Sequence, residues 1–165
     1  MSSSDRSAAE PRDGKTPSSS ASSMHQFMLP RDANPAGSVH GGMIMKMVDE
    51  AGALAAMRHS NRRVVTISMD SMTFKSPVRV GHFLMLDARL TYVGRTSMEV
   101  VMRVSAEDAV AGVVTHTNSA RLVYVALDTE GHPTPVPELV CETSEERDEF
   151  ERGRLRQQTR VQAEA

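Results

Sequence analysis

The spacing of apolar residues changes once along this chain, and that change constrains the fold more than any other feature. From residue 41 to about residue 58 they recur every three or four positions, as on one face of a helix, at Ile44, Met47, Val48, Ala51, Leu54 and Ala55. Small residues fill most other positions from 51 to 56, which predicts a helix that is mostly covered, wrapped by a sheet. The run Asn61-Arg62-Arg63 predicts its end.

After the helix the spacing becomes two, which is typical of half-buried strands. Apolar residues alternate with polar ones at Val65, Ile67 and Met69, and alternate again at Met98, Val100, Met102 and Val104. Segments 83–93 and 120–127 predict two more strands, and the second is apolar on both faces and therefore more central. Gly81, Gly94 and Gly112 mark or flank the turns. With a first strand predicted at residues 25–29, the pattern indicates an α+β fold with an antiparallel sheet.

Length and composition exclude several classes of protein. The 165 residues are enough for one domain, and a net charge of -2 with no basic stripe argues against a nucleic-acid partner. Cys141 is the only cysteine, which excludes disulfide frameworks and multi-cysteine zinc sites. The six histidines share no ligand spacing, so we predict no metal. No apolar run approaches the roughly 20 residues of a membrane span.

The chain divides into three segments. Residues 1–23 hold nine serines and few apolar residues, which predicts a disordered tail without a targeting signal, and hence a cytoplasmic protein. Residues 24–140 are predicted to form the folded domain. In residues 141–165, Thr143 and Glu146 have capping-box spacing, and acids precede most of the arginines. This segment predicts a solvated surface helix followed by a tail.

The chemistry centres on the glycine-rich turn that leads into the apolar helix. The N–H groups of Gly42 and Met43 at the helix start are placed to stabilise a thioester or ester oxygen that gains charge. Asp49, about two turns further on, has small or apolar neighbours that would desolvate it and make it a stronger base. Asn34, in the turn, could orient a water or a carbonyl. Asp49 could equally be an exposed helix acid, Asn34 a turn initiator, and His40 a hydrogen-bonding brace rather than a base.

The run from Asn34 through His40-Gly41-Gly42 to Asp49 and Gly52 resembles the signature of hot-dog-fold acyl-CoA thioesterases of the brain-type acyl-CoA hydrolase group. Segments 65–66, 72–81, 96–100, 124–127 and 135–143 are also similar to that family in order and spacing, and the resemblance covers residues 25–158. It implies a long central helix wrapped by an antiparallel sheet, in homodimers that often form hexamers as trimers of dimers. It also implies hydrolysis of fatty acyl-CoA to a fatty acid and CoA, with no cofactor beyond the CoA of the substrate.

Site residues follow from the same resemblance. Asn34 and Asp49 match the family's catalytic pair, which opposite subunits supply to one site, and Gly42 with its neighbours matches the segment that holds the thioester carbonyl. The regions near CoA correspond to Val80, Gly81, Gly94, Arg95, Thr96 and Ser97. His82 departs from the family, in which an acid or amide often follows Val-Gly.

Two alternatives remain. Hot-dog domains also serve as non-catalytic modules that bind or sense acyl-CoA, although the presence of both Asn34 and Asp49 argues against this. A hydratase acting on enoyl thioesters would use a histidine with an acid, and the first four turns of this helix contain no histidine.

Overall fold

The computed structural model describes residues 13–163, which form one antiparallel sheet, a central helix and a C-terminal helix. The sheet contains five strands in the order β1-β3-β4-β5-β2. These are β1 (Ser22–Phe27), β2 (Arg63–Phe74), β3 (Phe83–Val93), β4 (Ser97–Asp108) and β5 (Val113–Leu127). The helices are the single turn α1 (Pro17–Ser20), α2 (Gly41–Ser60) and α3 (Ser144–Ala163).

The core lies between α2 and the inner face of the sheet. Helix α2 contacts all five strands, and its small residues Ala51, Ala55 and Ala56 are fully buried. From β4, the side chains of Met98, Val100, Met102 and Val104 are fully buried, as their alternation predicts. The α+β fold that the sequence pattern indicates and the hot-dog arrangement that the family resemblance implies are therefore confirmed: one covered helix with an antiparallel sheet wrapped around it.

Several boundaries agree with the sequence pattern. Strand β3 covers the predicted residues 83–93, because Gly81 with a φ of 89° turns the chain before it and Gly94 follows its end. Helix α2 ends where Asn61 adopts a left-handed φ of 53° and donates its N–H to the Met57 carbonyl. Strand β5 begins seven residues earlier than predicted, and β1 occupies 22–27 rather than 25–29.

The prediction that Val65 and Ile67 face the core is wrong. Their side chains are 41% and 51% exposed, because the pairing of β2 with β5 shifts by one residue between Thr66 and Ser68. Thr66 lies opposite Tyr124 and Met69 lies opposite Leu122, so these two residues, three positions apart, both point to the inner face. The bulge therefore turns a polar side chain, that of Thr66, toward α2.

Residues 13–23, which the sequence predicts to be disordered, are ordered in the structure. Lys15 bridges to Leu139, and Thr16 caps α1 by accepting the Ser19 N–H. Ser22 already belongs to β1 and donates a hydrogen bond of 2.8 Å to the Ala51 carbonyl of α2. The serines that predict disorder thus satisfy backbone groups of the domain, which a composition argument does not detect. Residues 1–12 of the predicted tail, and residues 164–165, lie outside the described part of the chain.

Helix α3 begins with the predicted capping box and lies on the outer face of the sheet. Thr143 Oγ1 accepts the Glu146 N–H at 3.1 Å, and the Glu146 carboxylate accepts the Thr143 N–H at 3.3 Å. Most of α3 is exposed, as predicted, but one side is bound to the sheet. Arg156 forms two hydrogen bonds to the buried carboxylate of Glu99 on β4, at 2.7 and 2.9 Å. Ion pairs, together with a contact between aromatic rings of α3 and β3, therefore hold this helix.

Candidate active site

The start of α2 is capped by a side chain of the preceding turn. His40 is the N-cap residue, and its Nδ1 accepts the Gly42 N–H at 3.2 Å. The His40 carbonyl accepts the Met43 N–H at 2.9 Å. Both N–H groups predicted to hold a substrate oxygen therefore have acceptors within the protomer. His40 acts as the hydrogen-bonding brace that the sequence suggested.

Asn34 organises the turn before α2. Its Oδ1 accepts the N–H of Ala36 at 2.9 Å and that of Ser38 at 3.3 Å, while Nδ2 donates to Ser38 Oγ at 3.2 Å. This is the turn-initiating geometry that the sequence offered as an alternative. The same residue lines an open cavity of about 320 Å³ together with Gly41, Ile44 and Phe74. Asn34 and the N-terminal turn of α2 thus share one depression.

Asp49 lies two turns further along α2, half-buried against the inner face of the sheet. Thr66 Oγ1 on β2 donates a hydrogen bond of 2.6 Å to Asp49 Oδ1. The Tyr124 hydroxyl on β5 lies 2.9 Å from the Asp49 carbonyl and 3.3 Å from Oδ1. Among the described residues, no donor contacts the other carboxylate oxygen, Oδ2. The carboxylate is therefore held at one oxygen and open at the other.

Tyr124 is a fully buried side chain that depends on a glycine of α2. Its ring packs against Gly52, where a Cβ would overlap the hydroxyl. Burial, and secondarily the charge of Asp49 and the hydrogen bond to it, raise the pKa of Tyr124 far above its usual value. The phenol therefore stays protonated and remains a hydrogen-bond donor toward α2.

Within one protomer, Asn34 and Asp49 do not come together. Asp49 is eight residues beyond Gly41, which corresponds to about 12 Å along the helix axis. The two side chains have different neighbours, Ser38 for Asn34 and Thr66 with Tyr124 for Asp49. A site that uses both needs them from two copies of the chain, or needs a movement within one.

The segments predicted to lie near CoA are also separated. Val80 and Gly81 precede β3, while Gly94, Arg95, Thr96 and Ser97 follow it. The strand between them has 11 residues, which span about 35 Å when extended. The first segment lies beside the Asn34 turn, since Val39 N–H bonds to the Val78 carbonyl. The second lies where β5 ends, since Ala126 N–H bonds to the Thr96 carbonyl.

The described residues contain no group of three or more His, Cys, Asp or Glu side chains arranged to hold a metal ion. No helix in residues 13–163 is both long and apolar enough to cross a membrane. Burial raises the pKa of the Cys141 thiol, and its sulfur donates to the Glu146 carbonyl at 3.6 Å. This thiol is therefore not activated as a nucleophile.

Comparison with known proteins identifies the family. A family model described as the thioesterase superfamily matches residues 36–113. The crystal structure of an apo-hexameric acyl-CoA thioesterase has a TM-score of 0.86 and 38% identity, over 93% of this chain and 98% of that chain. The chain belongs to the thioesterase superfamily. A mammalian relative of this thioesterase domain, the cytosolic acyl coenzyme A thioester hydrolase of Rattus norvegicus, is 38% identical over 143 residues. Those residues are 86% of this chain but only 38% of the length of the rat protein.

A second solved thioesterase bears on the site. The acyl-CoA hydrolase of Staphylococcus aureus, in complex with butyryl coenzyme A, coenzyme A and coenzyme A disulfide, has a TM-score of 0.80 and 32% identity over 91% of this chain and 94% of that chain. Further structures of that enzyme have an aspartate, an asparagine or a threonine replaced by alanine. In its sequence, the asparagine precedes the aspartate by as many positions as Asn34 precedes Asp49 here. The threonine follows that aspartate by as many positions as Thr66 follows Asp49.

Sequence reasoning missed two residues of this candidate site, Thr66 and Tyr124. Both lie on segments that carry the family resemblance, but the alternation of β2 predicts that Thr66 points away from α2. Without the bulge at Ile67 that prediction would be correct. The one available signal was a threonine among β-branched apolar residues, which is too common in strands to indicate a site.

Proposed function

We propose that this protein is an acyl-CoA thioesterase that hydrolyses fatty acyl-CoA to a free fatty acid and CoA, with Asp49 as its reactive acid. The observation that carries the proposal is the half-buried Asp49 carboxylate, bound at Oδ1 by Thr66 and open at Oδ2. The matching spacing of Asn34, Asp49 and Thr66 in an S. aureus hydrolase solved with coenzyme A ligands supports it.

The proposed hydrolysis needs few functional groups. Thr66 fixes the rotation of the carboxylate, so that Oδ2 faces the reactants. Asp49 then either takes a proton from water as the water attacks the thioester carbonyl, or attacks that carbonyl itself to give an anhydride that water opens. A CoA thiol resembles free cysteine, with a pKa of about 8.5, and leaves as a thiolate without a strong general acid. No metal or organic cofactor is required by either route.

We infer that the thioester oxygen binds at the N-terminus of α2. The Gly42 N–H now donates to His40, so an incoming oxygen would replace the imidazole Nδ1 as its acceptor. The Met43 N–H adds to the positive end of the same helix. Asn34, from the turn that lines the same cavity, would orient the carbonyl or the attacking water.

The site is proposed to be complete only between two subunits, with Asn34 from one and Asp49 from the other. Strand β2 is an edge of the sheet, and Val65 and Ile67 expose apolar surface on it. A second copy of the chain could therefore form backbone hydrogen bonds with this strand and cover its apolar side chains. A hexamer, as in the apo-hexameric relative, would be built from such dimers. A two-subunit site would also let CoA contact Val80 and Gly81 of one chain and Gly94–Ser97 of another.

We also infer a cytoplasmic location. The rat relative is a cytosolic hydrolase, and Cys141 is the only cysteine in the chain. Separating a tagged chain into cytosolic and membrane fractions tests this inference. Recovery of the chain mainly with membranes would contradict it.

The decisive experiment compares Asp49→Asn with Glu50→Gln. The two acids are neighbours on α2, but Glu50 is exposed and pairs with Lys46 at 2.8 Å, so its variant is a matched control for loss of one negative charge. Thiol release from acyl-CoA should be lost in Asp49→Asn and retained in Glu50→Gln, with CoA binding retained in both. If the unaltered protein binds acyl-CoA without releasing thiol, the non-catalytic binding module is the correct reading.

A further inference from the structure

The outer face of the sheet contains a depression that no part of the proposed reaction uses. It has a volume of about 740 Å³, within the range of small-molecule sites, and lies where α3 does not cover the strands. Strands β1, β3, β4 and β5 contribute its lining, which includes Arg89, Arg103, His116 and Ser119. None of the residues proposed for thioester hydrolysis is among them.

Two arginines of this depression have no acceptor. Arg89 on β3 lies opposite Val101 on β4, and Arg103 lies two residues further along β4, so the pair is diagonal. Diagonal neighbours in an antiparallel pair are about 7–8 Å apart, close enough for both guanidinium groups to reach one ligand. Neither side chain forms a salt bridge or hydrogen bond within residues 13–163. Lys75, in the adjoining hollow that shares Val101 and Ser119, is also without an ion-pair partner in that part of the chain.

The acid and the histidine beside these cations leave the site electropositive. Asp87 lies opposite Arg103, but its Oδ1 accepts the Ser23 hydroxyl at 2.7 Å, and it is not within salt-bridge distance of either arginine. His116 shares a hydrogen bond of 3.1 Å between Nε2 and Ser119 Oγ, and its buried Nδ1 has no partner. Unpaired cations and an unsatisfied ring nitrogen thus lie together around one hollow.

We propose that this depression binds a phosphorylated small molecule, with Arg89 and Arg103 donating hydrogen bonds to its phosphoryl oxygens. Guanidinium groups present planar pairs of N–H donors that match phosphate geometry, and a multiply charged anion relieves the repulsion between two neighbouring arginines. The site is a second one, separate from that of the thioester. Free pyrophosphate and the diphosphate of a nucleotide share this chemistry, and they differ in whether the rest of the hollow adds affinity.

The test uses isothermal titration calorimetry on the full chain with pyrophosphate, ADP and adenosine. We expect pyrophosphate and ADP to bind and adenosine not to bind. Tighter binding of ADP than of pyrophosphate, weakened by Arg89→Gln, identifies a nucleotide ligand of this hollow, and equal binding identifies the phosphoryl group alone. Arg89→Gln and Arg103→Gln should each weaken pyrophosphate binding by about 10- to 100-fold, the usual effect of losing a charge-assisted hydrogen bond.

Arg62→Gln is the matched control, because Arg62 is an exposed arginine in the turn after α2, outside the hollow. It should leave pyrophosphate affinity unchanged, and all three variants should retain acyl-CoA turnover and thermal stability. Absence of pyrophosphate binding, or binding that Arg62→Gln weakens as much as Arg89→Gln does, overturns the proposal. Since the readout is anion affinity, this result is independent of whether Asp49 hydrolyses thioesters.

Discussion

Thr66 Oγ1 lies 2.6 Å from Asp49 Oδ1, and this contact joins an edge strand of the sheet to the middle of the central helix. The bond is possible because one extra residue in β2 turns Thr66 inward. It leaves Oδ2 as the carboxylate oxygen without a donor among the described residues. The orientation of the proposed reactive group therefore depends on a bulge in a strand that is 17 residues away in sequence.

Thr66→Val should lower kcat by about 10- to 100-fold, because a hydrogen bond to a charged group contributes roughly 1.5–3 kcal/mol. Thr66→Ser keeps the hydroxyl and should retain most of the activity. Steady-state thiol release from acyl-CoA measures both variants, and a thermal unfolding curve shows whether the fold is intact. Equal activity in the valine and serine variants would show that the hydroxyl does not matter to turnover.

Mixing two inactive variants tests whether the site is shared between subunits. Asn34→Ala and Asp49→Ala should each be inactive alone. After the two are unfolded together and refolded, half of a random dimer population is mixed, and each mixed dimer has one intact site, so activity should recover to about a quarter of the wild-type value. No recovery, with mixed dimers demonstrated by differential tagging, would place both residues in one chain's site.

Substitutions of His40 distinguish a role in capping α2 from a role in catalysis. Its Nδ1 accepts the Gly42 N–H, so His40→Ala should lower the free energy of unfolding by about 1 kcal/mol through loss of the N-cap. His40→Asn supplies another good capping acceptor and should restore that stability. Thiol release should stay close to wild type in both variants. A loss of about 100-fold or more in both would instead identify the imidazole as an acid or base of the reaction.

The attachment of α3 should weaken in acid. Burial acts to raise the pKa of Glu149, but the hydrogen bond from Arg121 and the charges of Arg121, Arg156 and Arg152 outweigh it, so this pKa lies below its ordinary value. A depressed folded-state pKa means that Glu149 contributes its full stabilisation above the unfolded value of about 4.3. The contribution is lost as pH falls through the lower folded-state pKa. Thermal unfolding from pH 6 to pH 3 should therefore show a smaller decline in Tm for Glu149→Gln than for the unaltered protein. Parallel declines would show that Glu149 does not cause the acid sensitivity.

The parts of the fold that sequence predicts best are those that local residues determine. Strand β3 could be bounded at 83–93 because glycines turn the chain on both sides of it, and the end of α2 follows from Asn61, which tolerates the left-handed conformation. The capping box at Thr143 is equally local, since a spacing of three residues predicts it. None of these features needs a distant contact.

The parts that sequence missed depend on distant contacts. Ser22 is ordered because it donates to the Ala51 carbonyl, which only the folded helix supplies. Thr66 faces inward because the pairing register of β2 with β5 shifts at Ile67. Nothing in the sequence around Ile67 predicts this bulge. For the candidate site, Asn34, His40 and Asp49 could be selected from one segment of sequence. Their partners on β2 and β5 could be identified only from the folded sheet.

Gly52 and Tyr124 illustrate how closely the helix and the sheet fit. Because a Cβ at residue 52 would overlap the tyrosine hydroxyl, a larger residue on the helix needs a smaller one on the strand. The same tyrosine hydroxyl contacts Asp49, so the compensating change would remove a donor from the carboxylate proposed to react. Among active descendants of this sequence, Gly52 should therefore persist wherever Tyr124 does.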